Sequence, residues 1–316
     1  MNNFVIILGE PNSINSEILA KSIAFKNKAI VVGNYNLLKS QLKILKINRK
    51  LKKVKNPEKI VKFSKALHVL DIPLKFNNPF SVNYKESSVY VKKCLNMGHR
   101  LCLQKRFRGM INCAINKKNL FKSKNLGVTE YLAKKNKVSK SEVMIIYNKK
   151  LSVVPLTTHV RIRDVSKSLK KNIMIQKIKT LNQYYLKYFK KRPRIGILGL
   201  NPHNFELRKN SEEKKIIIPI VNILKKKIRI TGPFSADTIF LRENSKKYDV
   251  IVGMFHDQVL APFKALFGFD AVNITLGLPY IRMSPDHGVA EDKKKLNISS
   301  PKSLNRCIEI ITKTLK

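Results

Sequence analysis

The stretch GMFHDQVLAPFK (253–264) sets a histidine beside an aspartate just after an apolar run, in a chain with only six histidines. Two more histidines share that setting. His159 follows LSVVPLTT and His203 follows RIGILGLNP, so His159, His203 and His256 each lie just beyond the carboxyl end of a predicted strand. In open α/β sheets that edge is where ligands bind, because side chains from successive loops converge there. Three imidazoles from separate loops suit a divalent cation. A lone histidine after a strand is more often a hydrogen-bonded or capping residue, and no HExxH-type pattern is present. It is the coincidence of three that points to a metal. His287, in SPDHGVA, is a candidate to line the same cleft, whereas His68 and His99 read as structural.

Carboxylates and cations gather near the same segments. Asp257 adjoins His256, and Asp237 lies in GPFSADTIF; either could orient a ligand histidine or a water, with helix capping as the competing role. Lys264 and Arg282 flank Asn273, and all three are expected in one C-terminal loop system. Surface charge is the competing reading for Lys264. Arg282 sits within the apolar LGLPYIRMS, a setting that calls for an anionic partner, and its planar fork suits phosphate or carboxylate. A metal beside an anion clamp suits chemistry on a phosphorylated hydroxy acid. Hydrolysis and hydride transfer both fit.

Such residues need a scaffold that carries loops to one edge. FVIIL (4–8) and AIVVG (29–33) read as buried strands with a helical pattern between them, the opening of a βαβ unit. SSVYVKKCLNMGHRLCLQ has helical spacing and MINCAI is strand-like, while residues 40–80 carry no assignable period. A second series follows: VMIIY (143–147), LSVVPLTT (151–158), an amphipathic helix over 164–190, RIGILGL (194–200), a helix around SEEKKIIIPIVNILKK, DVIVGMF (249–255), AVNITLGLP and a closing helix in SLNRCIEIITKTL. Alternating strands and helices predict a doubly wound α/β architecture.

The length of 316 residues fits one or two such domains. The formal net charge of +44 suggests anionic partners. The lysines are spread through the whole chain, and no zinc-finger spacing, RNP-type motif or basic zipper accompanies them, which argues against nucleic acid as the main partner. Four cysteines without CxxC spacing indicate a reducing compartment. With no basic leader and no long apolar run, a soluble cytoplasmic protein without a membrane anchor is expected.

FHDQVLAPFK followed by FDAVNITLGLPYIRMSPDHGVAED resembles the C-terminal signature of the 4-hydroxythreonine-4-phosphate dehydrogenases of pyridoxal phosphate biosynthesis. The resemblance extends upstream through GPFSADTIF, LGLNPH, PLTTHVRIRDV, GVTEYLA and GEP. It implies a two-domain α/β/α fold shared with isocitrate and isopropylmalate dehydrogenases, here over 1–127 with 290–316 and over 128–289, the second carrying the metal ligands and the dimer interface. It also implies a homodimer whose active site lies at the subunit interface. Carried over by motif, His159, His203 and His256 are the metal ligands, drawn from both subunits, and Thr129, Lys264, Asn273 and Arg282 touch the substrate. The implied reaction is oxidation of 4-phosphooxy-L-threonine by NAD or NADP, then loss of carbon dioxide, with Zn, Co, Mg or Mn as Lewis acid. No clean GxGxxG with a following acidic residue selects between the dinucleotides. Where the family usually has histidine before the threonine of its GHTE motif, this chain has Val128. The glycine-rich loop near the start reads GEPNSINSE, and the stretch after the DHG motif reads EDKKKLN.

Overall fold

The computed structural model describes residues 3–314, with 27, 61–62, 105, 118–119, 121–126 and 269 excepted. The chain divides into two units, Met1–Gly127 with Pro279–Lys316, and Val128–Leu278. The first opens with β1 (Asn3–Ile7), β2 (Ala29–Gly33), β3 (Leu51–Val54), β4 (Leu67–Asp71) and β5 (Phe107–Asn112). β1 and β2 are buried at every position, as apolar runs such as FVII and AIVVG require of strands covered on both faces. All pairings are parallel, in the order β3-β4-β2-β1-β5. The helices Tyr35–Ile44 and Tyr84–Cys102 begin at Asn34 and Asn83, whose side chains accept from the backbone N–H of Leu37 and Lys85. Each thereby satisfies a donor that the first turn leaves open.

The second unit contains β6 (Val143–Tyr147), β7 (Ser152–Pro155), β8 (Ile195–Leu198), β9 (Ile230–Phe234), β10 (Val250–Gly253) and β11 (Val272–Leu276), in the order β11-β6-β7-β10-β8-β9. β7, β10, β8 and β9 run parallel. β6 is antiparallel to both β7 and β11. The polar stretch NKKL between β6 and β7 is too short to cross over a sheet face, so it can only reverse the chain as a hairpin. Ile146, Val153, Leu198, Ile251, Val259 and Phe263 form a buried core in this unit, joining the strands to the helix His256–Phe267.

At Pro279 the chain returns to the first unit, where β12 (Ile281–Pro285) pairs parallel with β5 through Arg282↔Met110 and its neighbours. The change of unit thus falls earlier than the expected residue 290, because IRMSP is a strand of the first sheet. The helix Lys302–Thr314 closes the chain. The unassigned 40–80 region holds β3 and β4. β3 is exposed at its two central lysines, which hides its pattern. Cys94, Cys102, Cys113 and Cys307 are buried free thiols. No helix among the described residues is long and apolar enough to cross a membrane.

Asp249 and Gly199 secure the two ends of the parallel strands in the second unit. The Asp249 carbonyl accepts from Ser152 N (2.9 Å), and its carboxylate accepts from Arg194 N (2.9 Å) and Lys191 Nζ (2.8 Å). Burial works to raise this carboxyl, but the hydrogen bonds from Arg194 and Lys191 outweigh it and hold it down at about 2. A depressed folded pKa stabilises above the unfolded value and is lost as pH falls through the folded one. The wild type should therefore lose roughly 1 kcal/mol, after solvent screening, as pH falls from about 4 to about 2. Urea titrations of Asp249→Asn should show this component missing. At the other end, a Cβ on Gly199 would collide with Asn204 Oδ1 and lie 3.0 Å from Glu213 Oε1. Gly199→Ala should destabilise by about 1–3 kcal/mol, measured by the same titration.

Candidate active site

β10 lies between β7 and β8, with Gly253 opposite Pro155 and Val252 opposite Ile197. The three strands therefore end together, and the loops that follow emerge on one edge. After β7, Leu156 N donates to Gly253 O (2.8 Å), and Thr157 N and Oγ1 donate to Met254 O (3.1 and 2.7 Å). The loop then reaches Thr158 and His159. After β10, His256 opens the helix His256–Phe267. After β8, His203 sits in the turn Pro202–Leu207 at φ 47°, followed by Asn204 at φ 56°. Two successive left-handed residues are rare outside glycine and persist where the surroundings over-determine them.

Those surroundings include Glu213, a fully buried carboxylate that accepts from Leu200 N (2.7 Å), Asn201 N (2.9 Å) and Asn201 Nδ2 (3.1 Å). Burial pushes its pKa up, but the donors of Asn201 and Leu200 pull it further down, so the net shift is downward. Glu213 begins a π-turn, Glu213–Ile217, where the sequence pattern predicts ordinary helix. Such turns recur beside functional sites.

The strand ends place the loops of all three histidines on one edge, yet among the described residues no three His, Cys, Asp or Glu side chains of this single chain stand together as a cation site. The local chemistry of two of them fits metal ligation. His256 Nδ1 lies 2.6 Å from Asp257 Oδ1, and His159 Nδ1 lies 3.6 Å from Glu130 Oε1. A carboxylate at Nδ1 favours the tautomer with its lone pair on Nε2, the arrangement typical of metal-bound imidazoles. Asp257 is thus the neighbour expected for His256. Asp237 is exposed in the first turn of Ala236–Ile239, behind the N-cap residue Ser235. Glu130 was not anticipated from sequence, although it follows Thr129 directly. It also accepts from Thr158 Oγ1 (3.2 Å). Burial opposes its ionisation, but the His159 ring and the Thr158 hydroxyl help hold its carboxyl at about 2. Below the same loop, Lys177 Nζ donates to Leu156 O (2.8 Å). Burial lowers its pKa, with Glu142 and Glu130 opposing.

The expected substrate contacts do not share one loop system. Lys264 lies within the helix His256–Phe267, half-buried, with its pKa lowered by burial. Asn273 is on β11, and its Oδ1 is buried without a hydrogen-bond partner among the described residues. Thr129 is buried with its Oγ1 3.1 Å from Thr275 Oγ1. Arg282 is 3% exposed on β12 of the first unit, where its Nε donates to Asn112 Oδ1 (2.7 Å). What reads as a loop in sequence is a helix and two strands, because VNITL and IRMSP each pair within a sheet. Val128 is 4% exposed, an apolar side chain packed at the start of its helix. His287 belongs to the first unit, with Nδ1 2.9 Å from Gly288 O. His68 is buried on β4, and His99 Nδ1 lies 2.9 Å from Tyr280 Oη, structural settings for both.

Comparison with known proteins gives the family. The family model described as pyridoxal phosphate biosynthetic protein PdxA matches residues 25–311. A 4-hydroxythreonine-4-phosphate dehydrogenase from Sulfurihydrogenibium sp. (strain YO3AOP1) is 35% identical over 98% of this chain and 97% of its own. A D-threonate 4-phosphate dehydrogenase from Pectobacterium atrosepticum is 30% identical over 96% of this chain and 97% of its own. The crystal structure of a 4-hydroxythreonine-4-phosphate dehydrogenase from Klebsiella pneumoniae superposes with a TM-score of 0.85 at 28% identity, covering 100% of both chains. Isocitrate dehydrogenase from Methylococcus capsulatus matches in fold alone, with a TM-score of 0.51 at 9% identity over 98% of this chain and 85% of its own. The chain belongs to the PdxA family of pyridoxal phosphate biosynthesis and is an oxidoreductase of the dehydrogenase class.

Proposed function

We propose that the protein oxidises the secondary alcohol of 4-phosphooxy-L-threonine with NAD or NADP. The product, 2-amino-3-oxo-4-phosphooxybutanoate, then loses carbon dioxide to give 3-amino-2-oxopropyl phosphate. The observation that carries this reading is the pairing of His159 with Glu130 and of His256 with Asp257, on loops that leave one strand edge. His159, His203 and His256 would hold a divalent cation, Zn, Co, Mg or Mn, with ligands drawn from both subunits of a cytoplasmic homodimer. A cation there supplies Lewis acidity toward the substrate oxygen on which negative charge develops in both steps.

The remaining residues bind and orient. Asn112 holds the Nε edge of Arg282, which sets the plane of a guanidinium suited to phosphate or carboxylate. Lys264, half-buried on its helix, would offer a positive charge to an anionic group of the substrate. Thr129 and Asn273 would contribute a hydroxyl and an amide. Holding the substrate in one orientation would place its reacting C–H for hydride transfer, and positioning of this kind removes a large entropic share of the barrier.

A second reading keeps the site and changes the substrate to D-threonate 4-phosphate or a related phosphorylated hydroxy acid. Val128 favours it, since an apolar buried side chain stands where a histidine donor is expected. Comparing kcat/KM for 4-phosphooxy-L-threonine with that for threonate and erythronate phosphates separates the two, and preference for the latter would reject the first assignment. His256→Ala should keep the fold and lower turnover by more than about a hundredfold, since the Lewis acid contributes several kcal/mol; undiminished turnover would rule out the metal reading. Glu130→Gln should weaken cation affinity by about ten- to a hundredfold, measured by competition with a chromophoric chelator.

A further inference from the structure

In the run His256-Asp257-Gln258, the first two residues are paired with each other, and the third has a separate part. Gln258 Oε1 accepts from Met254 N (2.7 Å), and Gln258 Nε2 donates to Gly199 O (2.8 Å). Met254 begins the loop that carries His256. Gly199 begins the loop that carries His203. One planar amide therefore spans the two loops just beyond the last backbone pairing of β10 with β8, which ends at Val252 and Ile197. The strands do not need Gln258 to stay paired. Gly253 makes room for Val259 and for the amide, since a Cβ there would lie 2.5 Å from Val259 Cγ1 and 2.9 Å from Gln258 Oε1.

The neighbouring peptide groups are held by side chains as well. Glu213 takes the N–H groups of Leu200 and Asn201, and Thr157 takes the carbonyl of Met254. Gln258 supplies a side-chain contact that joins the two loops to each other, and making both bonds takes an acceptor and a donor on one side chain.

We infer that Gln258 is a positioning residue for the cation site, setting the separation between the loops that present His203 and His256; the inference rests on the metal reading above. The test uses the full-length protein stripped of metal and titrated with Co(II), following affinity by competition and geometry by the visible absorption of bound cobalt. Gln258→Glu keeps the acceptor for Met254 N and sets a carboxylate oxygen against the Gly199 carbonyl, and Gln258→Met keeps the length and removes both bonds. Both variants should bind cobalt about tenfold or more weakly with an altered absorption band, while metal-free Gln258→Met melts within a few degrees of wild type. Wild-type affinity and spectrum in both variants would overturn the inference, as would a lowered Tm with an unchanged cobalt spectrum. His256→Ala is the control. If wild type binds no cobalt, or His256→Ala binds it as well as wild type, the metal reading fails and this inference with it. If His256→Ala loses binding while both Gln258 variants keep it, only the role of Gln258 is lost.

Discussion

The backbone ladder that holds β10 between β7 and β8 is the constraint on which the rest of the second unit depends. Parallel pairing makes three strands end at the same level, so the loops with His159, His203 and His256 share an edge without further instruction. The strand pairing of β10 with β7 ends at Gly253 and Pro155, three residues before His256 and four before His159. From there, side chains join the backbone in pairing the peptide groups: Thr157 Oγ1 on the Met254 carbonyl, Gln258 on Met254 N and the Gly199 carbonyl, and Glu213 on the next two amides. Buried peptide groups need partners, and here the partners also set where the imidazoles stand.

Carboxylates are scarce in this chain, 20 against 64 lysines and arginines, and their placement is informative. Glu213 gathers amides, Glu130 and Asp257 face histidine rings, and the Asp249 carboxylate holds Lys191 and the Arg194 amide just before β8. Glu17 is buried against Lys21 Nζ (2.6 Å) and Ser299 N (2.6 Å), and Glu10 accepts from Ser87 Oγ. Each of these acids satisfies a donor that would otherwise be orphaned or orients a ring. The excess positive charge is left to solvent and salt, which screen charges over about 8 Å at physiological ionic strength.

Much of this was legible in the sequence where one local pattern determines the outcome. Apolar runs mark β1, β2, β7, β8 and β10, and the residue that follows such a run is at a sheet edge whatever its partners. The histidine placement follows from that alone. Patterns of period two fail when the strand is short or lysine-rich, as in LKKV of β3, or interrupted by glycine and proline, as in ITGPF of β9. Arg282 reads as a loop residue because five residues of IRMSP carry too little period to announce a strand, and its unit is decided by pairing with β5, far back in the chain. The roles of Glu130, Glu213 and Gln258 are hidden in the sequence for another reason. Their partners lie 28, 13 and 59 residues away, and nothing local in a polar side chain reports a contact made across a fold.

The buried thiols carry a consequence of their own. Desolvation pushes Cys94 and Cys113 up to about 12 and raises Cys102 and Cys307 as well, so the native protein presents almost no thiolate at neutral pH. Oxidants and alkylating agents that act through thiolate find nothing to attack until the chain opens. Sulfhydryl labelling of the native protein therefore counts opened molecules, and the four thiols are shielded from thiol oxidants while the fold holds.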